Sequence, residues 1–252
     1  MQRIIDNAEM AKSVWDNFTN EANNKKIERF FHLRPTNSGV TIVSTLNGYE
    51  MRGIRKNSHD NLRNTLEQIL DKYDVLVSID DTKKEKAMED LKFGKRGSRN
   101  NQTGASLEEV AQAVMINTMS DNTDLAKLFS VEKIKFIASE LILEKGPHRV
   151  DIIGVDEKTK TLYLFELKKG RTHRANQLSD YVGYYNKKRD VLEKLLKTYP
   201  INSVDKFERI QGVMVMKYAE NSFYQDKWKK DKEYYKIEIL FYEHSLSYKK
   251  CQ

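Results

Sequence analysis

Two stretches decide how this chain reads: Val150-Asp151-Ile152-Ile153-Gly154-Val155, preceded by Arg149, and Leu162-Tyr163-Leu164-Phe165-Glu166-Leu167-Lys168. Side chains on a strand alternate faces with a period of two. Asp151 therefore shares a face with Ile153 and Val155, and Glu166 and Lys168 share one with Leu162 and Leu164. Each face is apolar along its length and charged only at its tip. A solvent-facing strand would be polar throughout, so the pattern is that of a buried sheet opening into a site. The polar turn Asp156-Glu157-Lys158-Thr159-Lys160 between the strands predicts an antiparallel hairpin. Pairing Val155 with Leu162 sets Ile153 beside Leu164 and Asp151 beside Glu166. Directly opposed Cβ atoms lie roughly 4.5–5.5 Å apart, and two carboxylates that close repel unless a proton or cation lies between them. A hard divalent cation such as Mg²⁺ takes one or two carboxylates with water and phosphate. Lys168, on the same face, is placed to orient or deprotonate a water, or to stabilise charge on a phosphate. Glu-x-Lys alone on a strand is most often an exposed ion pair. The Asp151 strand, the apolar starts of both faces and the helix that follows argue instead for a site.

That helix begins Arg174-Ala175-Asn176-Gln177-Leu178-Ser179-Asp180-Tyr181. Gln177 and Tyr181 are four apart and share one of its faces. Asp151, then Glu166-x-Lys168, then Gln177-x-x-x-Tyr181, in that order on strand, strand and helix, resembles the PD-(D/E)XK nuclease superfamily, in particular its RecB-like and Holliday-junction-resolvase-like branches. The resemblance covers about residues 104–245, and Val150 stands where many members have Pro. It implies an α/β (α+β) fold with a restriction-endonuclease-like αβββαβ core, a mixed sheet flanked by helices. It also implies a metal-dependent endonuclease hydrolysing DNA, with Mg²⁺ as cofactor and Mn²⁺ able to substitute. Asp151 and Glu166 would hold the metal, with the Leu167 backbone carbonyl as a further ligand. Lys168 would position the attacking water and Gln177 would orient the network, with Tyr181 either supporting it or simply packing on the sheet.

The family's first-helix acid has two candidates in Gly104-Ala105-Ser106-Leu107-Glu108-Glu109-Val110-Ala111. Ser106 and Glu109 form a capping box, which gives Glu109 a structural job. Glu108 borders the apolar stripe of Leu107, Val110, Ala111, Val114 and Met115 and is favoured as the site residue, catalytic and metal-binding. Both also suit the positive end of a helix dipole. The basic loop Lys168-Lys169-Gly170-Arg171-Thr172-His173-Arg174 leads out of the site, and Lys169, Arg171 and Arg174 are read as contacts to nucleic-acid phosphate.

The chain has 252 residues, 39% hydrophobic and 32% charged, with a net charge of +7. That supports a folded protein with a polyanionic partner such as DNA. No apolar run is long enough to span a membrane. The start lacks the apolar core of a signal peptide, and the single Cys251 excludes an internal disulfide. A cytoplasmic location follows as the expectation. The histidines and Cys251 show no zinc spacing; His148 and His173 flank the site but are read as incidental. Cutting both strands of a duplex would suit a homodimer.

Residues 94–104, rich in Gly, Asn and basic side chains, read as a linker. It divides an α+β domain over 1–93 from the nuclease-like domain over 105–252. The second domain should run helix 106–119, strand 134–143, the hairpin, helix 174–198 ended by Pro200, strand 209–216, a short helix with Trp228 and strand 235–242. In the first, a helix uses Ile5, Ala8, Val14, Trp15 and Phe18. Val40–Leu46, Asn47-Gly48 and Tyr49–Arg52 predict a hairpin with a type I′ turn. A helix (60–72), a strand (74–79) and a helix (82–92) follow. The cations Arg52, Arg55, Lys56 and Arg63 read more simply as solvated charge than as a DNA-facing patch. No motif marks this domain, and selecting a substrate is its expected role. The rival to an active nuclease is a non-cleaving or partner-dependent nucleic-acid-binding subunit of a defence or transposition complex.

Overall fold

The computed structural model describes residues 1–95, 107–144, 148–168, 174–217, 222–242 and 248–250. The chain divides into two compact units, Met1–Ala105 with Thr198–Ser203, and Ser106–Lys197 with Val204–Gln252. Thr198–Ser203 therefore groups with the first unit, although it lies far beyond the Gly/Asn-rich stretch in sequence.

In the first unit, α1 (Gln2–Thr19) buries Ile4, Ala8, Ala11, Val14, Trp15 and Phe18. Ile4 takes the place expected of Ile5, because steps of three and four residues from Trp15 and Ala11 reach Ala8 and then Ile4. A 3₁₀ turn (Lys25–Arg29) leads into β1 (Phe31–Thr36), which pairs with β2 (Gly39–Ser44). The sheet continues through β3 (Met51–Arg52) to β4 (Gly94–Lys95), antiparallel throughout. β1 was not legible in the sequence, because its His32, Arg34 and Pro35 mask the strand pattern. The β2–β3 ladder ends at Ser44–Met51, so a wide loop, Thr45–Glu50, replaces the expected two-residue turn. The Thr45 N–H and hydroxyl both donate to the Phe30 carbonyl (2.9 and 3.3 Å), tying the end of β2 back to the start of β1. Gly48 then sits inside that loop at φ +74.

Helices α2 (His59–Asp71) and α4 (Asp81–Asp90) are capped by Ser58 and Asp80. Where a strand was expected at 74–79, the chain makes a single turn, α3 (Tyr73–Leu76). Tyr73 and Leu76 are buried, and the alternating Val75, Val77 and Ile79 that suggested a strand are exposed. Beneath the sheet, Phe31, Leu33, Val40 and Ile42 meet Trp15, Phe18, Leu62 and Leu66 in one apolar core.

The second unit runs α5 (Leu107–Thr118), α6 (Thr123–Leu128), β5 (Lys135–Leu141), β6 (Val150–Asp156), β7 (Thr161–Lys168), α7 (Ala175–Lys187), α8 (Arg189–Lys197), β8 (Arg209–Lys217), α9 (Ser222–Tyr235), β9 (Glu238–Tyr242) and β10 (Tyr248–Lys250). The expected 174–198 helix is thus two helices meeting at Lys188. Its sheet order is β10-β9-β8-β7-β6-β5. β5, β6 and β7 are antiparallel, β7-β8-β9 are parallel, and β10 returns antiparallel. Parallel neighbours need a crossover, which α7 and α8 supply between β7 and β8. The buried run Val213-Met214-Val215-Met216 on β8 is what a strand covered on both faces requires. Two glycines show the covering. A Cβ on Gly212 would press on Leu178 and Val182 of α7 at 3.1 and 3.0 Å, and one on Gly154 would meet Met119, just past α5, at 2.9 Å. The fold is thus mixed α/β, with a mixed sheet in one unit and an antiparallel sheet in the other. Among the described residues, no helix is long and apolar enough to cross a membrane.

Candidate active site

The β6–β7 ladder pairs Val155 with Leu162, Ile153 with Leu164 and Ile152 with Phe165. One step further, Asp151 stands opposite Glu166. The Asp151 carboxylate takes the Leu167 backbone N–H at 2.8 Å, so a strand amide fixes its orientation. Lys168 Nζ lies 2.5 Å from Glu166 Oε1. Glu166 is buried, and its other oxygen, Oε2, has no hydrogen-bond partner among the described residues. A buried carboxylate oxygen left bare is costly, and the chemistry that satisfies it is a cation or a donor.

α5 reaches the same end of the sheet. Gln112 donates to the Asp151 carbonyl at 3.3 Å, and Glu108 is one helical turn earlier. The negative charge of Glu108 bears on both Glu166 and Lys168. Glu109 shares the first turn of α5, while its proposed capping partner Ser106 lies outside the described residues. On α7, the Gln177 amide donates to the Tyr181 hydroxyl. Tyr181 feels the charges of Glu166, Lys168 and Asp151. The His148 ring stacks on Tyr184 (centroids 4.2 Å apart) and meets Tyr181 edge-on. Arg174 is exposed immediately before α7; Lys169, Arg171 and His173 lie outside the described residues.

Glu140 escaped sequence reasoning, and Arg149 was named there without a role. Ala138–Ile153, Ser139–Ile152 and Leu141–Val150 are paired across β5 and β6, which sets Glu140 opposite Asp151 on the flank away from Glu166. Glu140 is buried and carries Arg149 Nε at 3.2 Å. The available signal was a lone acid in the apolar run Phe136–Leu143.

Burial raises the Asp151 pKa well above the usual carboxylate range, and the neighbouring Glu166 charge adds to it, against the Leu167 N–H and Lys168. Glu166 is also raised, chiefly by burial, with Glu108 and Glu140 adding and Lys168 opposing. For Lys168, burial works against the charge, but Glu166, Asp151 and Glu108 outweigh it and raise the pKa. Lys168 is therefore held as an ammonium. Among the described residues no three His, Cys, Asp or Glu side chains are gathered to hold a metal. The donor set offered is the facing pair Asp151 and Glu166. That fits a hard cation of the Mg²⁺ type, which draws its other ligands from water and phosphate.

No family model matches this chain, and no curated protein or solved structure matches it.

Proposed function

We propose that this chain is a divalent-metal-dependent endonuclease that hydrolyses DNA phosphodiester bonds, built on a PD-(D/E)XK-type core. The observation that carries the reading is the buried, hydrogen-bond-free Glu166 Oε2 facing Asp151 with Lys168 alongside. Asp151 and Glu166 would hold the Mg²⁺ or Mn²⁺, with the Leu167 backbone carbonyl as a further ligand. When bound, such a cation stabilises charge building on the phosphate and lowers the pKa of a water. Asp151 is pre-oriented by the Leu167 amide, so its carboxylate does not have to reorganise. Lys168, as an ammonium, donates to the attacking water or to a phosphate oxygen. Glu108 adds negative charge at the rim, and Gln177 with Tyr181 forms a hydrogen-bonded wall on α7. The net charge of +7 supports a polyanionic substrate.

The test is incubation of the purified chain with plasmid, branched and single-stranded DNA in Mg²⁺, Mn²⁺ or EDTA, beside Asp151→Ala. Metal-dependent nicking that vanishes in the variant supports the reading and identifies the substrate class. DNA binding without cleavage in either metal replaces it with the non-cleaving or partner-dependent subunit. Cleavage that survives Asp151→Ala shows that the site is elsewhere or the activity a contaminant.

A further inference from the structure

We propose that Arg149 is the oxyanion-gripping arm of this site and that buried Glu140 is the positioning residue that aims it. The proposal rests on the nuclease reading, since the oxyanion is then a nucleic-acid backbone phosphate.

Arg149 enters β6 two residues ahead of Asp151, and Glu140 lies across from Asp151 on β5. Their ion pair therefore holds a guanidinium on the β5 flank of Asp151. The pair is lopsided in burial: the Glu140 side chain is 3% exposed and that of Arg149 is 40% exposed. Glu140 meets Arg149 at Nε, at 3.2 Å. Among the described residues Arg149 has no other ion pair or hydrogen bond, so the two outer nitrogens keep their donors. A guanidinium presents its donors as a rigid fork that matches phosphate oxygens, and fixing it through Nε pre-organises the rest.

Glu140 is held here at a cost. It sits at φ +54 inside a strand, a left-handed conformation that costs an L residue about 1–2 kcal/mol. Its charge also disfavours ionisation of Asp151 and Glu166. Its ion pair with Arg149 offsets part of that cost. Backbone outliers of this kind cluster where function holds them in place.

The test is equilibrium binding of a fluorescein-labelled duplex by the full chain in EDTA, so that no cleavage occurs, measured across a salt series. Each phosphate contact contributes about 0.9 to the slope of log affinity against log salt. Arg149→Ala should lower the slope by about that amount and weaken binding roughly tenfold or more, the size of one charge-assisted contact. Arg149→Lys should restore the slope but not the full affinity. Glu140→Gln keeps the Arg149 charge, so the slope stays while affinity falls. In an Arg149→Ala background the same Glu140→Gln change should not weaken binding, because only its repulsion of phosphate is then removed. That coupling is a readout a mere folding role would not produce.

Unchanged slope and affinity in Arg149→Ala overturn the proposal. So does a Glu140→Gln change that tightens binding equally in both backgrounds, since it then acts by charge alone. A wild-type chain that binds no DNA even at low salt also overturns it. Binding that follows the predicted pattern without cleavage in Mg²⁺ or Mn²⁺ sinks the nuclease reading and leaves the Arg149 contact standing. Cleavage with no Arg149 effect does the reverse.

Discussion

Each unit buries charge against a β-sheet, and the two groups are balanced in opposite ways. In the first unit Arg34 Nη2 meets Glu50 Oε1 at 2.5 Å, and His32 Nε2 lies 3.9 Å from the same oxygen. Tyr199, from the returning Thr198–Ser203 stretch, is buried within reach of both charges. There a carboxylate has its cation. In the second unit Glu140, Asp151 and Glu166 stand on three neighbouring strands with Glu108 close by, against Lys168 and Arg149. Among the described residues, four carboxylates there face two cations. The first arrangement is closed and holds a sheet face together. Among the described residues the second holds more carboxylates than cations, which costs stability.

The contrast is testable by the sign of the response to losing one member. The largest effect is expected in the closed group. Arg34→Met leaves Glu50 buried without its cation and should cost about 3–5 kcal/mol, read as a lower urea midpoint at unchanged slope. A midpoint that stays put would show that the pair contributes nothing to the fold.

Acid should separate the two groups next. Burial lowers the His32 pKa to about 3, with Arg34 assisting and Glu50 opposing. The unfolded chain takes up that proton near pH 6.5, the folded chain only near 3. The stability from neutral His32 is therefore complete above 6.5 and lost as pH falls from 6.5 toward 3. The loss should be roughly 2 kcal/mol by about pH 5, present in the wild type and absent in His32→Gln. Equal acid slopes in both would break the assignment.

The surplus group should respond with the opposite sign. Asp151 and Glu166 carry raised pKa values in the folded chain, so they bind protons more tightly than when unfolded. Their penalty is present at neutral pH and is relieved as pH falls through the raised values. Asp151→Asn should accordingly stabilise the metal-free protein by about 1 kcal/mol near neutral pH, fading in acid, as seen by thermal unfolding in EDTA. Mg²⁺ should raise the wild-type Tm and leave that of the variant unmoved. A variant that melts lower at neutral pH would mean that the carboxylates are not in surplus.

The smallest effect is Tyr199→Phe. The Tyr199 hydroxyl is buried without a hydrogen-bond partner among the described residues, so its removal should be neutral or stabilising by up to about 1 kcal/mol. A loss larger than that, in a denaturant titration, would place Tyr199 among the working members of the closed group.

Legibility from sequence followed the range of the forces involved. Asp151, Glu166 and Lys168 could be placed because a short turn joins their strands and period-two alternation leaves one register that buries both apolar faces. The observed Val155–Leu162 and Ile153–Leu164 pairs are that register. α2 and α4 were expected at 60–72 and 82–92, and the structure caps them with Ser58 and Asp80, a local signal available in the sequence. Val75, Val77 and Ile79 misled because their alternation buries nothing: no neighbouring strand uses it. β1 was missed because its His32 and Arg34 are polar residues that become buried through partners elsewhere in the chain.

By itself, then, the sequence determined the alternation of apolar and charged residues along β6 and β7, and with it the facing carboxylates, because local periodicity and a short loop leave no other pairing that buries both faces. Only the tertiary structure decided that Glu140 lies against Asp151 with Arg149 upon it, and that Thr198–Ser203 returns to the first unit. Those pairings join segments with no tight turn between them, and the choice of partner is made by the packing of the whole unit, which no window of sequence contains.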